Sequence, residues 1–321
     1  MKLLVMFSLV ATVLLPVFLG LALGYFAGYK KLIGNQNVAS LNVFLMQFLL
    51  PVTLFVSIAR TSRAVIIGNA DLVLVLACTL VIIFIPLHLV QTRLFKLPLG
   101  DAAVQTLTSS FPNFASIGLP LLVPVFGADA ALPVAIAIAT GSVTISPLTI
   151  ALLELSKTGR SGRQGQALGA FVQALKNAVR KPIFLGPILG LCVSLAGVHL
   201  PKLVGVAFAP MTSATAGTGL FLTGLMLSAQ KIRIDTNVLL SAGVKNVMQP
   251  LVALGLALLF GLPARAEAEV VLLCTIPAGF FGLVFGASAG VRPEVTGSTL
   301  VVSSVFSLVT LSAVILMIRP S

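Results

Sequence analysis

Two stretches of the chain put helix-breaking residues and binding residues together in apolar surroundings. In "SSFPNFASIGLPLL", Ser109 to Leu122, Pro112 and Pro120 bracket Asn113, Ser116 and Gly118. In "CTIPAGFFGLVFG", Cys274 to Gly286, Thr275 precedes Pro277, Ala278 and Gly279. Proline has no N–H, so within a helix Pro112 and Pro120 strip the carbonyls of Thr108 and Ser116 of their usual donors. Hydrocarbon tolerates such a gap only where protein or a polar cavity supplies replacements. A helix that breaks at mid-membrane offers, at its restart, unpaired N–H groups and about half a positive charge, which suits a carboxylate. The freed carbonyls suit a cation or a hydroxyl donor instead. Asn113 adds an amide that both donates and accepts, and Ser109, Ser110, Ser116 and Thr275 add hydroxyls. The plainer alternative is that prolines kink the helices while serine and threonine bond back to the backbone. Two such stretches at corresponding places in the chain favour a binding site.

The elements that must position these residues are membrane helices. With 321 residues, 58% hydrophobic and 9% charged, the chain has too little polar surface to cover a soluble globule. Apolar runs long enough to cross a hydrocarbon core recur throughout, and ten spans are predicted near 3–29, 38–58, 71–91, 102–126, 130–155, 182–198, 203–228, 237–260, 267–290 and 295–318. The opening run after Lys2 has the charge of a signal peptide but too long an apolar core, so it is taken as the first span. Cys78, Cys192 and Cys274 fall inside spans without metal-ligand spacing and are expected to be small packing residues. Residues 156–181 form a cytoplasmic linker. Its second part spaces Leu168, Phe171, Val172, Leu175 and Val179 on one helical face, either as an interfacial amphipathic segment or as an extension of the sixth span.

An internal repeat organises the spans. "PVFLGLALG", Pro16 to Gly24, returns as "PIFLGPILG", Pro182 to Gly190, with six identities in nine at an offset of 166. The same offset brings Pro112 to within one residue of Pro277. It divides ten spans into five and five, and an odd number per half inverts the second half, the plan of many secondary transporters. Gly20, Gly24 and Gly28, and Gly186 and Gly190, have the small-xxx-small spacing of closely packed helices.

The net charge of +12 is scattered over short loops and forms no nucleic-acid-binding stripe. Counted by side, Lys and Arg number six with the N-terminus and thirteen opposite, Lys245 set aside, so both termini are expected outside. No carboxylate pair sits at mid-membrane; the acids lie at or near predicted span ends, which weakens a fixed proton relay. Lys245, about two turns inside the eighth span, either balances an anionic substrate or snorkels to the interface, the second being favoured. "GASAG", Gly286 to Gly290, matches G-x-S-x-G only in letters, since no strand precedes it. No HExxH motif, Walker loop or zinc cluster appears, so no cofactor, no metal site, no ATP drive and no enzyme activity are expected.

On these residues the chain resembles the auxin efflux carrier family, and within it the bacterial carriers of malonate and other small organic acids. "PNFASIGLPLL" is similar to the family's fourth-span pattern and "IPAGFFGLVFGASAGVRPEVTGST" to its ninth. "FLLPVTLFVSIA", which contains Thr53, and "GTGLFLTGLMLSA", which contains Thr223, agree as well. The resemblance implies an all-α integral membrane protein with ten transmembrane helices, two inverted five-helix repeats (1–155 and 182–321), and crossed broken helices 4 and 9. That architecture is sodium/bile-acid-symporter-like and NhaA-like. It further implies a scaffold of spans 1, 2, 6 and 7, a transport domain of spans 3–5 and 8–10 that moves like an elevator, and a homodimer. By the same carry-over Asn113 contacts the substrate carboxylate beside Pro112 and Pro277. Ser116, Gly118, Pro120, Ala278, Gly279, Ser109, Ser110, Thr275, Thr53 and Thr223 complete the expected binding set, the hydroxyls on the reading of the residues above, and side-chain contacts of the residue after the ninth-span proline are not carried over to Ala278. Ala278 stands where plant members carry glutamine, which argues against an auxin-sized aromatic cargo. The expected function is transport of a small organic anion, malonate foremost, across a bacterial cytoplasmic membrane. The coupling ion, sodium or proton, stays open. Other mono- and dicarboxylates, an auxin-like acid, a passive channel and a membrane sensor are the competing readings.

Overall fold

A computed structural model describes residues 2–60, 63–158, 169, 173, 180, 182–198, 200–291 and 293–318. Most of the linker and its amphipathic segment therefore lie outside the described residues, as does the side chain of Ser288 in "GASAG". The described residues are helical nearly throughout, and one isolated bridge is the extended pairing among them. The helices are α1 (Lys2–Tyr29), α2 (Asn35–Phe44), α3 (Leu50–Ala59), α4 (Arg63–Ile67), α5 (Ala70–Leu89), α6 (Leu99–Ser110), α7 (Leu119–Phe126) and α8 (Ala131–Val143). They continue with α9 (Ile145–Thr158), α10 (Pro182–Leu195), α11 (Lys202–Ser228), α12 (Thr236–Gly243), α13 (Gln249–Leu259), α14 (Ala264–Thr275), α15 (Phe281–Ala289) and α16 (Glu294–Met317).

Among the described residues six helical stretches are long and apolar enough to cross a membrane unaided: Asn37–Val56, Ala70–Leu94, Ala128–Ser156, Lys202–Ser228, Thr236–Leu259 and Glu294–Met317. Leucines, valines and phenylalanines cover much of their outer surface, as lipid-facing helices require. This is a multi-pass membrane protein.

Prolines are absorbed by widened turns. Pro51, Pro120 and Pro250 each stand in the first turn of α3, α7 and α13, directly after the π-helical turns Leu45–Leu49, Phe114–Gly118 and Val244–Met248. A wide turn removes the clash between the ring and the preceding carbonyl, and at a helix start the missing N–H costs little. Pro120 thus stands where a helix start tolerates it, in the first turn of α7.

Glycines set the closest helix contacts. α1 packs along α11, and α10 along α3. A Cβ on Gly24 would lie 1.9 Å from the carbonyl oxygen of Phe221, and one on Gly190 would lie 2.9 Å from that of Phe55. Gly24 and Gly190 are one offset of 166 apart, and so are Phe55 and Phe221. The glycine spacing therefore serves packing. Among the cysteines the packing expectation holds for buried Cys274 and in part for Cys78, but Cys192 is exposed on α10. Among the described residues no group of His, Cys, Asp and Glu is arranged to hold a metal.

Candidate functional site

The site grows from two helix ends. α6 stops at Ser110, and Phe111 turns extended at φ −103°, ψ 103°. α14 stops at Thr275, and Ile276 turns extended at φ −52°, ψ 135°. The extended segments run antiparallel, with Pro112 opposite Ala278. Gly279 N–H donates to the Phe111 carbonyl at 2.8 Å, and Asn113 N–H donates to the Pro277 carbonyl at 2.9 Å. Phe111 and Pro277 are one offset of 166 apart, as are Asn113 and Gly279, so the two bonds exchange under that offset. Residues at a pair of this kind point their own N–H groups away from the partner strand, so Pro112 loses no ladder bond. The N–H of Ala278 instead reaches the Ser303 hydroxyl on α16 at 3.0 Å. Gly279 admits no side chain, because a Cβ there would lie 2.5 Å from the Phe111 carbonyl oxygen.

Breaking both helices frees carbonyls at their C-terminal ends, and one segment caps both. Gln249 Nε2 donates to the Ser110 carbonyl at 2.9 Å, and Lys245 Nζ donates to the Cys274 carbonyl at 2.8 Å. The two residues are four apart on the Val244–Met248 turn and the start of α13, the spacing that puts side chains on one face. Asn246 beside them ties to α16, donating to the Ser303 carbonyl at 3.0 Å and accepting from the Ser303 hydroxyl. Lys245 is fully buried, at 0% exposure, which corrects the snorkelling expectation. Lys245 lies on the packed face of its helix, opposite the exposed Val247, Met248 and Leu251, so its stem runs inward and the amine ends on a freed carbonyl.

Asn113 stands at the restart after the first break, with its side chain wholly buried. Its Nδ2 donates to Thr223 Oγ1 on α11 at 3.1 Å, while the Thr223 hydroxyl donates to the Gly219 carbonyl at 2.9 Å. With the Thr223 proton thus engaged, Oγ1 must accept, and Asn113 Oδ1 is left buried without a partner. Ser116 Oγ, one turn on, is likewise buried and unpartnered. Gly219 of α11 presses there, since a Cβ on it would come within 2.9 Å of Ser116 Cα. The Ala115 and Ser116 amides lie in the first turn after the break, where a helix has no internal acceptors.

Of the residues expected at the site, Pro112, Asn113, Ser116, Thr223, Pro277, Ala278 and Gly279 come together. The hydroxyls of Ser109, Ser110 and Thr275 bond back to Gln105, Thr106 and Val271 at 2.9, 2.7 and 2.7 Å. These three make the back-bonds that the plainer alternative describes, since a short hydroxyl inside a helix finds its own i−4 carbonyl first. Thr53 meets Thr215 at 2.6 Å and bonds the Leu49 carbonyl at 2.8 Å, away from Asn113. Gly118 packs on α8, where a Cβ would lie 2.7 Å from Val134 Cγ1, and Pro120 is half-buried in α7.

Sequence reasoning missed the amides. Gln91, Asn237, Ser241, Gln105 and Thr299 form a buried chain of hydrogen bonds at 2.7–3.1 Å, and Gln249 and Asn246 hold the breaks. The signal was available, because a carboxamide in an apolar span is costly unless partnered. A cavity of about 790 Å³ opens between α3, α8, α11 and α14, with Arg60, Asp129, Arg265 and Glu269 on its wall. Glu269 is buried and paired with Arg265 at 3.0 Å.

A family model described as membrane transport protein matches residues 9–315. The chain belongs to this family, the auxin efflux carriers. The carrier is 26% identical over 291 residues to "Uncharacterized transporter YfdV" of Escherichia coli (strain K12), covering 90% of this chain and 91% of that protein. It is 24% identical over 307 residues to a Rhizobium meliloti (strain 1021) protein named "Putative malonate transporter", covering 95% and 94%. A Methanothermobacter thermautotrophicus protein named "Uncharacterized transporter" is 23% identical over 293 residues, 90% of this carrier and 92% of its own length. The site therefore belongs to a membrane transporter.

Proposed function

We propose that this carrier is a secondary transporter that moves a small organic anion, a malonate-like dicarboxylate, across a bacterial cytoplasmic membrane by an elevator-like movement. The observation that carries the reading is the pair of buried, unpartnered atoms, Asn113 Oδ1 and Ser116 Oγ, at the restart of a broken helix. Unpartnered polar atoms in a membrane interior are expensive, and a half-protonated dicarboxylate repays both, its carboxyl O–H donating to Asn113 Oδ1 and its carboxylate accepting from the Ser116 hydroxyl near the positive end of the restart. The Asn113 to Thr223 bond joins the broken helix to α11. In this reading that bond crosses the border between a transport domain of spans 3–5 and 8–10 and a scaffold of spans 1, 2, 6 and 7. Ten crossings in two inverted halves are supported by the 166-residue offset that relates both the break-to-break bonds and the Gly24 and Gly190 contacts. The excess of Lys and Arg on the linker side supports outside termini. Malonate is favoured among carboxylates by the name of the Rhizobium relative.

The test is uptake of labelled malonate into proteoliposomes, with other mono- and dicarboxylates and an auxin-like acid as competitors. Wild-type uptake should saturate and exchange by counterflow. Asn113→Ala should lower it at least about tenfold, the loss expected for one buried hydrogen bond to cargo, with the melting temperature held. Unsaturable current without counterflow points to a passive channel, and unchanged uptake by Asn113→Ala removes that residue from the site.

A further inference from the structure

The described residues contain one fully buried lysine whose position the transport reading has not used. Lys245 Nζ donates to the Cys274 carbonyl, and no carboxylate among the described residues lies within ion-pair distance of it. A buried ammonium without a carboxylate needs another source of negative potential. Here the source is a helix terminus, since the C-terminal end of α14 carries freed carbonyls and about half a negative charge. Gln249, on the same face four residues later, gives the neutral version of the same cap to the Ser110 carbonyl at the end of α6. Both broken helices thus direct their C-terminal ends toward one side-chain row, and that row carries a single positive charge. Freed carbonyls at broken helix ends in a membrane are ligands that hard, oxygen-seeking cations such as sodium prefer.

From this geometry we infer that the Lys245 ammonium is the resident cation of the site. It fills the place at the α14 terminus that a soluble coupling cation would otherwise occupy, and it supplies the fixed positive charge that favours an entering carboxylate. The inference rests on the transport reading and sharpens it, for it makes inorganic cation coupling unnecessary. Its direct consequence is uptake that does not depend on sodium. Lys245 acts as a positioning and charge-supplying residue, since no contact with cargo is required of it.

Two measurements decide it. In proteoliposomes, wild-type malonate uptake should be the same with sodium or with choline. Lys245→Met, which keeps the stem and loses the charge, should fall at least about tenfold, the loss expected for one charge-assisted hydrogen bond. Lys245→Ala should recover uptake when methylammonium or sodium is added. Sodium-dependent wild-type uptake, or Lys245→Met at wild-type rate, overturns the inference. Separately, purified Lys245→Ala should be stabilised against heat by methylammonium and the wild type should not. Equal responses of the two proteins overturn the seat even if uptake is absent, and absent wild-type uptake with the differential response intact overturns the transport reading alone.

Discussion

At the first break Asn113 follows the proline and carries a wholly buried amide with its oxygen unpartnered. At the second break the residue after the proline is Ala278, which offers only its N–H, and Ser303 takes that. The backbones nevertheless pair through two bonds that exchange under one offset. The helix ends differ in the same one-sided way, because neutral Gln249 caps the first and cationic Lys245 caps the second. A near-symmetric backbone therefore carries an asymmetric chemistry, with the free acceptor on one break and the charge on the other. The lesson is that the pairing is a frame that both breaks share, while the polar chemistry differs side chain by side chain. Asn113 and Gly279 occupy matching positions and illustrate this, since one holds the chemistry and the other the close approach.

The sharpest way to break the frame is Gly279→Ala. Its Cβ would meet the Phe111 carbonyl, which is backbone and cannot swing aside, so a cost of ~1–3 kcal/mol or more is expected. Folded yield and melting temperature should both drop, and uptake with them; a normally folded, active variant would show that the two breaks need not touch. Asn113→Ala, at the matching position, should instead keep the melting temperature and lose uptake, which separates frame from chemistry.

A smaller effect is expected at the caps. Gln249→Leu leaves the Ser110 carbonyl buried and unpaired, at about 1–3 kcal/mol. Melting should reveal this, while uptake stays sodium-independent because the charge at the other cap is untouched. The smallest effect belongs to Ser109→Ala, Ser110→Ala and Thr275→Ala. Each removes a hydroxyl that bonds back to its own helix, a contribution of about 0.6 kcal/mol or less, and malonate affinity should not move. A clear loss of affinity in any of these would return that hydroxyl to the site.

Much of this was legible before any coordinate, for a local reason. Whether a segment suits hydrocarbon depends on its own composition, so the apolar runs, the misplaced prolines and Asn113 could be read from neighbouring letters. The 166-residue offset was legible because it repeats short strings, and it indicated which two breaks belong together. Hydroxyls were harder. Ser109, Ser110, Ser116 and Thr275 look alike in sequence, yet only Ser116 lacks an acceptor in reach, because it lies in the wide turn where Gly219 presses against its backbone.

Lys245 shows where sequence reading stops. Its distance from the span end allowed either a snorkelling lysine or a charge facing the site, and local spacing cannot choose between them. The choice was made by Cys274, 29 residues away, whose carbonyl is free only because α14 ends at the second break. By itself, then, the sequence determined that the chain lives in a membrane, where its backbone breaks, and that an asparagine follows the first break. Only the tertiary structure decided that Thr223 engages Asn113, that Gln249 and Lys245 cap the broken ends, and that three nearby hydroxyls turn away. The physical reason is that hydrophobicity is a property of a segment, whereas a buried hydrogen bond is a property of two atoms brought together from distant parts of the chain.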